Sequence, residues 1–78
     1  MLKHNYQIYS IISGNIKKYR KLKGITQQEL SLRTGYSYSY IRKIEGPNCP
    51  KNFSVLTLYN IAKSLDISIQ CLFEDNDI

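Results

Sequence analysis

The sequence predicts an all-α protein, a compact bundle of five helices in a single domain. Apolar residues recur at spacings of three and four, residues that cap helices precede these stretches, and glycine or proline follows several of them. No alternating pattern of convincing length indicates a strand. Because a chain of 78 residues can bury only one core, we expect residues 1–78 to form one domain with its core between residues 12 and 73.

The first helix is predicted from an apolar stripe. Ile12, Ile16 and Tyr19 stand at positions i, i+4 and i+7 and therefore share one helical face. Gly24 ends this helix, because glycine commonly follows a helix C-terminus. The stretch from Tyr6 to Ile12 is β-prone and is compatible with helix or strand.

The second helix is bounded by a cap and a glycine. Thr26 and Glu29 form a capping-box pattern, in which hydroxyl and carboxylate can each accept from the other residue's main-chain N–H. This pattern predicts that a helix begins at Gln27. It is short, because Gly35 follows and offers the positive φ angle that a tight turn often requires.

The third helix is predicted to begin after Ser37, which can cap it, and to end at Glu45. The dipeptide Gly46-Pro47 stops it. Its buried face consists of Ile44 with either Tyr40 or Ile41.

Two more helices follow a loop from Pro47 to Asn52, whose two prolines exclude regular helix. Ser54 caps the fourth helix. Its apolar residues, which we expect in the core, are Val55, Leu58, Ile61, Ala62 and Leu65. Ser68 caps a last short helix with Ile69, Leu72 and Phe73.

Charge is distributed unevenly along the chain. Residues 1–63 contain all eleven Lys and Arg residues and two Glu, a net charge of +9, whereas residues 64–78 contain four acids and no base. Such a field concentrates polyanions around the basic part, and nucleic acid is the commonest polyanion. A basic composition alone is weak evidence of a partner.

Composition also limits other classes of site. The cysteines, Cys49 and Cys71, cannot complete a four-ligand zinc site even with the distant His4, so we expect neither a metal nor a cofactor. Residues 1–10 are too polar for a signal peptide, and no apolar run approaches the about 18 to 20 residues that span a bilayer. We therefore expect a cytoplasmic protein with reduced thiols and no membrane segment.

Two short helices joined at a glycine turn, the second rich in hydroxyl and basic residues, are typical of a helix-turn-helix. Five strings carry a more specific resemblance: NIKKYR at 15–20, GITQQEL at 24–30, GYS at 35–37, SYIRKIE at 39–45 and LYNIAKSL at 58–65. With these strings in this order, the chain from about Ile12 to Phe73 resembles the Cro/repressor-type (XRE) helix-turn-helix family. The resemblance implies a phage-repressor-like fold, a helix-turn-helix at residues 26–45, and a stand-alone transcriptional regulator that binds double-stranded DNA.

The resemblance also implies which residues contact DNA. Gln27 stands at the start of the predicted second helix, which in this family lies against the DNA backbone. There a side-chain amide and the helix dipole together hold a phosphate. Ser37, Tyr38 and Ser39 correspond to the first turn of the recognition helix, which enters the major groove. Hydroxyl groups donate to or accept from either kind of base edge, so they do not predict the bases that are read.

Basic residues extend this predicted interface. Lys43 can reach guanine O6 and N7, and Arg42 can do the same or grip a phosphate. Tyr40 points towards the DNA backbone by family position, although its ring can also pack inward. Many relatives have a Gly-Lys-Arg type loop after the recognition helix. This chain has a longer loop there, which leaves Lys51 as its one charged candidate for a phosphate contact.

Arg20 and Glu45 match family positions that form a buried ion pair, so we expect both to be structural. We further expect a symmetric homodimer on a palindromic operator, because one recognition helix covers too few base pairs for selective binding. An apolar stretch without positive charge near the C-terminus is the candidate interface, although some of its side chains must also fill the core. It consists of Ile67, Ile69, Leu72 and Phe73.

An enzyme and a protein-interaction module are the two rival classes of function. An enzyme is disfavoured, because His4 is isolated, the carboxylates are far apart in sequence, and neither a phosphate-binding glycine loop nor a nucleophile motif is present. A protein-interaction module, such as an antitoxin-like partner with the same fold, stays open as the alternative. With no second domain expected, no small-molecule ligand is predicted either.

Overall fold

The computed structural model describes residues 7–50 and 52–75, and its regular elements are all helical, as predicted. There are four α-helices and one 3₁₀ helix in the described residues: α1 (Gln7–Leu22), α2 (Gln27–Thr34), α3 (Tyr38–Glu45), α4 (Val55–Ser64) and η1 (Ile69–Phe73). The prediction of five helices needs one correction, because η1 is a five-residue 3₁₀ helix and not an α-helix. None of the helices in this part of the chain has the length and apolarity needed to cross a membrane.

Helix α1 includes the β-prone stretch as far as it is described. Ile8, Ile12 and Ile16 are spaced by four residues, and the helical period turns all three towards the core. Tertiary packing thus overrides the β propensity of this stretch. The turn after the helix contains Gly24 at φ 69°, where a side chain would be strained.

Hydroxyl side chains define the starts of the next three helices, as the sequence predicts. The side-chain oxygens of Thr26, Ser37 and Ser54 each accept a hydrogen bond of 3.0 Å from the main-chain N–H three residues ahead. The reciprocal half of the predicted capping box is replaced by another contact, because Glu29 Oε2 accepts from Arg33 Nη2 at 3.1 Å. These caps fix where α2, α3 and α4 begin.

The core lies between all five elements. Its buried side chains are Ile12, Ile16, Ile25, Leu30, Ile41, Ile44, Leu58, Ile61, Ala62, Leu65 and Leu72. Two predictions are corrected here. Val55, predicted in the core, is 76% exposed, because it begins α4 one turn before the buried Leu58. Leu72, predicted at a dimer interface, is fully buried and has no surface to offer a partner.

The chain after η1 is attached to α1 through side chains. Tyr19 Oη donates to Glu74 Oε1 at 2.5 Å, and Lys18 Nζ lies 4.0 Å from the same oxygen. The hydrogen bond to the Glu74 carboxylate raises the pKa of Tyr19 well above its ordinary value, because losing the proton would place two negative charges together. The tyrosine therefore stays a neutral donor in this contact.

Candidate nucleic-acid interface

Helices α2 and α3 form a helix-turn-helix unit around three connecting residues. Gly35 ends α2 in the left-handed conformation, with φ 82°, and its N–H donates to Ser31 O at 2.9 Å. Leu30 of α2 and Ile41 of α3 are both fully buried, so the two helices share the core below the turn. The angle between them is therefore set by packing, and the opposite face of α3 is left towards solvent.

The solvent face of α3 carries most of the residues predicted to contact DNA. Ile41 and Ile44 point inward, whereas the side chains of the other face are exposed: Ser37, Tyr38, Ser39, Arg42 and Lys43. Ser39, Arg42 and Lys43 border one shallow depression together with the start of the following loop. The guanidinium carbon of Arg42 lies 5.7 Å from the centre of the Tyr38 ring, one turn away. Hydroxyl, aromatic and cationic groups thus share the exposed face of α3.

Ser37 can both cap α3 and donate a hydrogen bond to DNA at this surface. Its oxygen is engaged as the cap of α3, where it accepts from Tyr40 N at 3.0 Å. Its hydroxyl hydrogen takes no part in that bond, so a DNA acceptor can still receive it.

Tyr40 adopts the inward orientation, one of the two that the sequence left open. Its ring packs against the core and meets the Tyr36 ring edge-on, with centroids 5.5 Å apart. Tyr36 is held in turn, because its hydroxyl accepts from Asn60 Nδ2 at 3.0 Å. Tyr40 is half-buried, so only part of its surface is available for contact with a backbone phosphate.

The structure contains the Arg20–Glu45 ion pair that the sequence predicts, almost entirely buried. Arg20 Nε donates to Glu45 Oε2 at 2.7 Å, and Arg20 Nη2 donates to Glu45 Oε1 at 3.0 Å. Arg20 Nη1 also donates to the main-chain oxygen of Ile25 at 2.8 Å. The pair therefore ties the end of α3 to α1 and to the loop before α2.

Gln27, the first residue of α2, joins this pair. Its Nε2 donates to Glu45 Oε1 at 3.0 Å. Sequence reasoning missed this contact, because the residues are 18 positions apart and neither was expected to meet the other. The amide is thus held by a buried carboxylate and is not freely solvated.

The charge of α3 is one-sided. Its acid, Glu45, is neutralised by Arg20, whereas the cations of Arg42 and Lys43 are exposed. Lys51, the predicted loop contact, lies outside the described residues. The exposed side of α3 therefore presents positive charge with hydrogen-bond donors, a combination suited to a phosphate-lined groove.

A second exposed surface was not expected from the sequence. Val55 and Leu56 of α4 are largely exposed, and Tyr59 is about half exposed. A signal for this was present, since Leu56 and Tyr59 stand outside the apolar spacing that predicts the buried face of this helix. These apolar side chains leave α4 with a face that the described residues do not cover.

This fold and this surface define a helix-turn-helix protein whose second helix, α3, exposes basic side chains. Comparison with known sequences agrees: the family model described as helix-turn-helix matches residues 16–70, and the chain belongs to that family, in its XRE-type branch. It is a family of DNA-binding transcriptional regulators and not of enzymes, as the sequence predicts.

Relatives include named regulators. An uncharacterized HTH-type transcriptional regulator of Sinorhizobium fredii, y4dJ, is 34% identical over 58 residues, which are 74% of this chain and 73% of that protein. The HTH-type transcriptional regulator SinR of Bacillus licheniformis is 36% identical over 67 residues, 86% of this chain and 60% of SinR. The chain thus spans about three fifths of that relative.

A solved structure shares the architecture. The restriction-modification controller protein C.AhdI from Aeromonas hydrophila superposes with a TM-score of 0.77 at 26% identity. The match covers 87% of this chain and all of that chain. The fold described above is therefore one that a controller protein also adopts.

Proposed function

We propose that this chain binds double-stranded DNA sequence-specifically, as a homodimer on a palindromic operator, with α3 in the major groove. The observation that carries the proposal is the exposed face of α3, where Ser39, Arg42 and Lys43 border one depression together with the start of the following loop. An α-helix fits the major groove, and hydroxyl and cationic side chains match the donors and acceptors at base edges there.

The proposal includes two kinds of contact, with base edges and with phosphates. Ser37, Tyr38 and Ser39 reach base edges from the first turn of α3, and Lys43 reaches them from the next turn. Arg42 takes either a guanine or a phosphate. Gln27 holds a phosphate at the start of α2, where the main-chain N–H groups of the first turn add positive potential.

Lys51 and the exposed part of Tyr40 complete the proposed phosphate contacts. In sequence, Tyr40 stands among the groove-facing residues of α3 and Lys51 follows the end of the helix. Contacts of this kind fix the register of the protein on DNA without reading bases.

The dimer is proposed to form through apolar surface in the C-terminal third. Phe73 is 44% exposed, and Ile67 and Ile69 are half-buried against the core. Tyr59 of α4 lines a groove together with Ile67 and Ile69. We add Tyr59 to the predicted interface and remove the buried Leu72.

Charge at this groove is compatible with two-fold pairing. Lys63 and Asp66 line it beside the apolar residues. In a two-fold interface the same surface meets its copy, so Lys63 of each protomer can approach Asp66 of the other. The interface lies outside the residues assigned to DNA, which leaves both recognition helices available for half-sites about one helical turn apart.

Salt dependence tests the proposal against a protein-interaction role. A fluorescent DNA duplex is titrated with protein at several salt concentrations. Binding that releases counterions should weaken by several orders of magnitude between about 50 and 200 mM salt when 6 to 10 phosphates are contacted. Undetectable duplex binding at the lowest salt, with the protein folded, would leave the interaction module as the better account.

A further inference from the structure

We propose that Glu45 is a positioning residue for DNA binding: its buried carboxylate holds the Gln27 amide in place for the phosphate before DNA arrives. The inference rests on the proposed function and adds a role for an ion pair that the sequence assigns to stability alone. It starts from the one carboxylate oxygen that accepts from both Arg20 and Gln27.

The geometry at Glu45 makes the contact with Gln27 directional. Oε2 accepts from Arg20 Nε at 2.7 Å, and Oε1 accepts from Arg20 Nη2 and Gln27 Nε2, both at 3.0 Å. The Glu45 side chain is 2% exposed and pinned by the guanidinium. A fixed acceptor is therefore available to orient the amide.

The position of Gln27 makes that orientation relevant to a phosphate. It is the first residue of α2, directly after the cap Thr26, at the positive end of the helix. An amide nitrogen carries two hydrogens, and Glu45 takes one of them, so the other is left for a phosphate oxygen. A free glutamine side chain loses rotamer freedom when it binds, and one that is already held loses less.

Arg20 makes this arrangement compatible with an anion. An unpaired carboxylate next to a phosphate site would repel the phosphate, whereas the guanidinium balances the charge of Glu45. Arg20 is itself fixed by the Ile25 carbonyl at 2.8 Å. The three side chains therefore act as one unit, with only Gln27 reaching DNA.

A double-mutant cycle on DNA affinity separates positioning from stability. The variants are Gln27→Ala, Glu45→Gln and the double variant, all compared at a temperature at which circular dichroism shows them folded. Each single change should weaken DNA binding by about three- to tenfold. The double variant should have about the same DNA affinity as the single variant that binds DNA more weakly. Losses that multiply in the double variant would overturn positioning.

The neighbouring residue provides the matched control. Gln28 is exposed on the same first turn of α2. Gln28→Ala and Glu45→Gln should act independently in the same cycle. The losses from Gln27→Ala and Glu45→Gln should also be similar on specific and unrelated duplexes, because phosphate contacts carry no base information. A loss confined to the specific duplex would show instead that Glu45 acts by setting the tilt of α3.

A measurement on the free wild-type protein needs no variant that can fail to fold. Nitrogen-15 relaxation of the side-chain amides should show Gln27 as ordered as the backbone and Gln28 as mobile. Equal mobility of the two amides would overturn the proposal. A wild-type protein that binds no DNA refutes the proposed function itself, whereas DNA binding with a mobile Gln27 refutes only the positioning role.

Discussion

The buried side-chain amide of Asn15 donates a hydrogen bond of 2.9 Å to the main-chain oxygen of Leu72, 57 residues further along the chain. The same nitrogen donates to the main-chain oxygen of Glu74 at 2.8 Å. Leu72 itself fills the core, so polar and apolar contacts together hold η1 against α1. A short 3₁₀ helix has few internal hydrogen bonds, and these contacts compensate for that.

Asn15→Ala should therefore lower the free energy of unfolding by about 1 to 3 kcal/mol, because two carbonyl oxygens lose a buried donor. Thermal or denaturant unfolding measures this. Gly14→Ala is the matched control: Gly14 is exposed in the same helix, and an added Cβ meets no atom within 4 Å. That change should raise stability by about 0.5 to 1 kcal/mol. An Asn15→Ala variant as stable as wild type would show that η1 is held by packing alone.

Removing one partner of the buried ion pair should be more costly. Arg20→Ala leaves the Glu45 carboxylate buried without its cation, and about 3 to 5 kcal/mol should be lost. For a domain of this size the melting temperature should fall by more than about 10 °C. Arg33→Ala serves as the comparison, because Arg33 pairs with Glu29 at an exposed site and such pairs contribute about 0 to 1 kcal/mol. Equal melting temperatures for the two variants would contradict the buried role of Arg20.

The cations of α3 should contribute to DNA binding in distinguishable ways. Lys43→Ala should cost about 1 to 3 kcal/mol of affinity and relax base preference at one position, as expected for a base contact. Arg42→Ala should do the same if Arg42 contacts a guanine. If Arg42 binds a phosphate, the change should weaken binding to all sequences alike and reduce the slope of log affinity against log salt concentration by about 1. Lys21→Ala removes an exposed charge from α1, outside the residues assigned to DNA and to the dimer, and should change little. Wild-type affinity after both α3 changes would refute the recognition-helix assignment.

The dimer proposal predicts a specific loss of assembly. Phe73→Asp and Ile69→Asp should shift the protein towards monomer and weaken operator binding, because each introduced charge meets its own copy at the two-fold axis. Sedimentation at micromolar concentration detects the shift, and Lys43→Ala should leave the dimer intact. A wild-type protein that sediments as a monomer, both free and on DNA, would contradict the proposal.

Much of the fold follows from local signals. Thr26, Ser37 and Ser54 cap the helices that the sequence predicts, and Gly35 adopts the positive φ expected of the turn. Such signals act within a few residues and need no knowledge of the tertiary arrangement. The helical conformation at Ile8 does depend on the tertiary arrangement, because burial in the core outweighs local β propensity there.

The inaccurate predictions concern contacts between distant elements. Periodicity shows that Val55 and Leu72 each lie in an amphipathic stretch, but not how far the core extends along α4 or that η1 turns Leu72 inward. In the candidate site, the exposed face of α3 follows from spacing around Ile41 and Ile44. The bond between Gln27 and Glu45 does not, since it depends on how α2 and α3 cross.

Selection of bound duplexes from a random DNA pool tests the central claim most directly. The account predicts enrichment of one sequence with two symmetric half-sites about 10 base pairs apart. The selected duplex should bind at least about a thousandfold more tightly than a shuffled duplex of the same composition at the same salt concentration. Failure to enrich any sequence, or equal affinity for the selected and shuffled duplexes, would contradict sequence-specific recognition by α3.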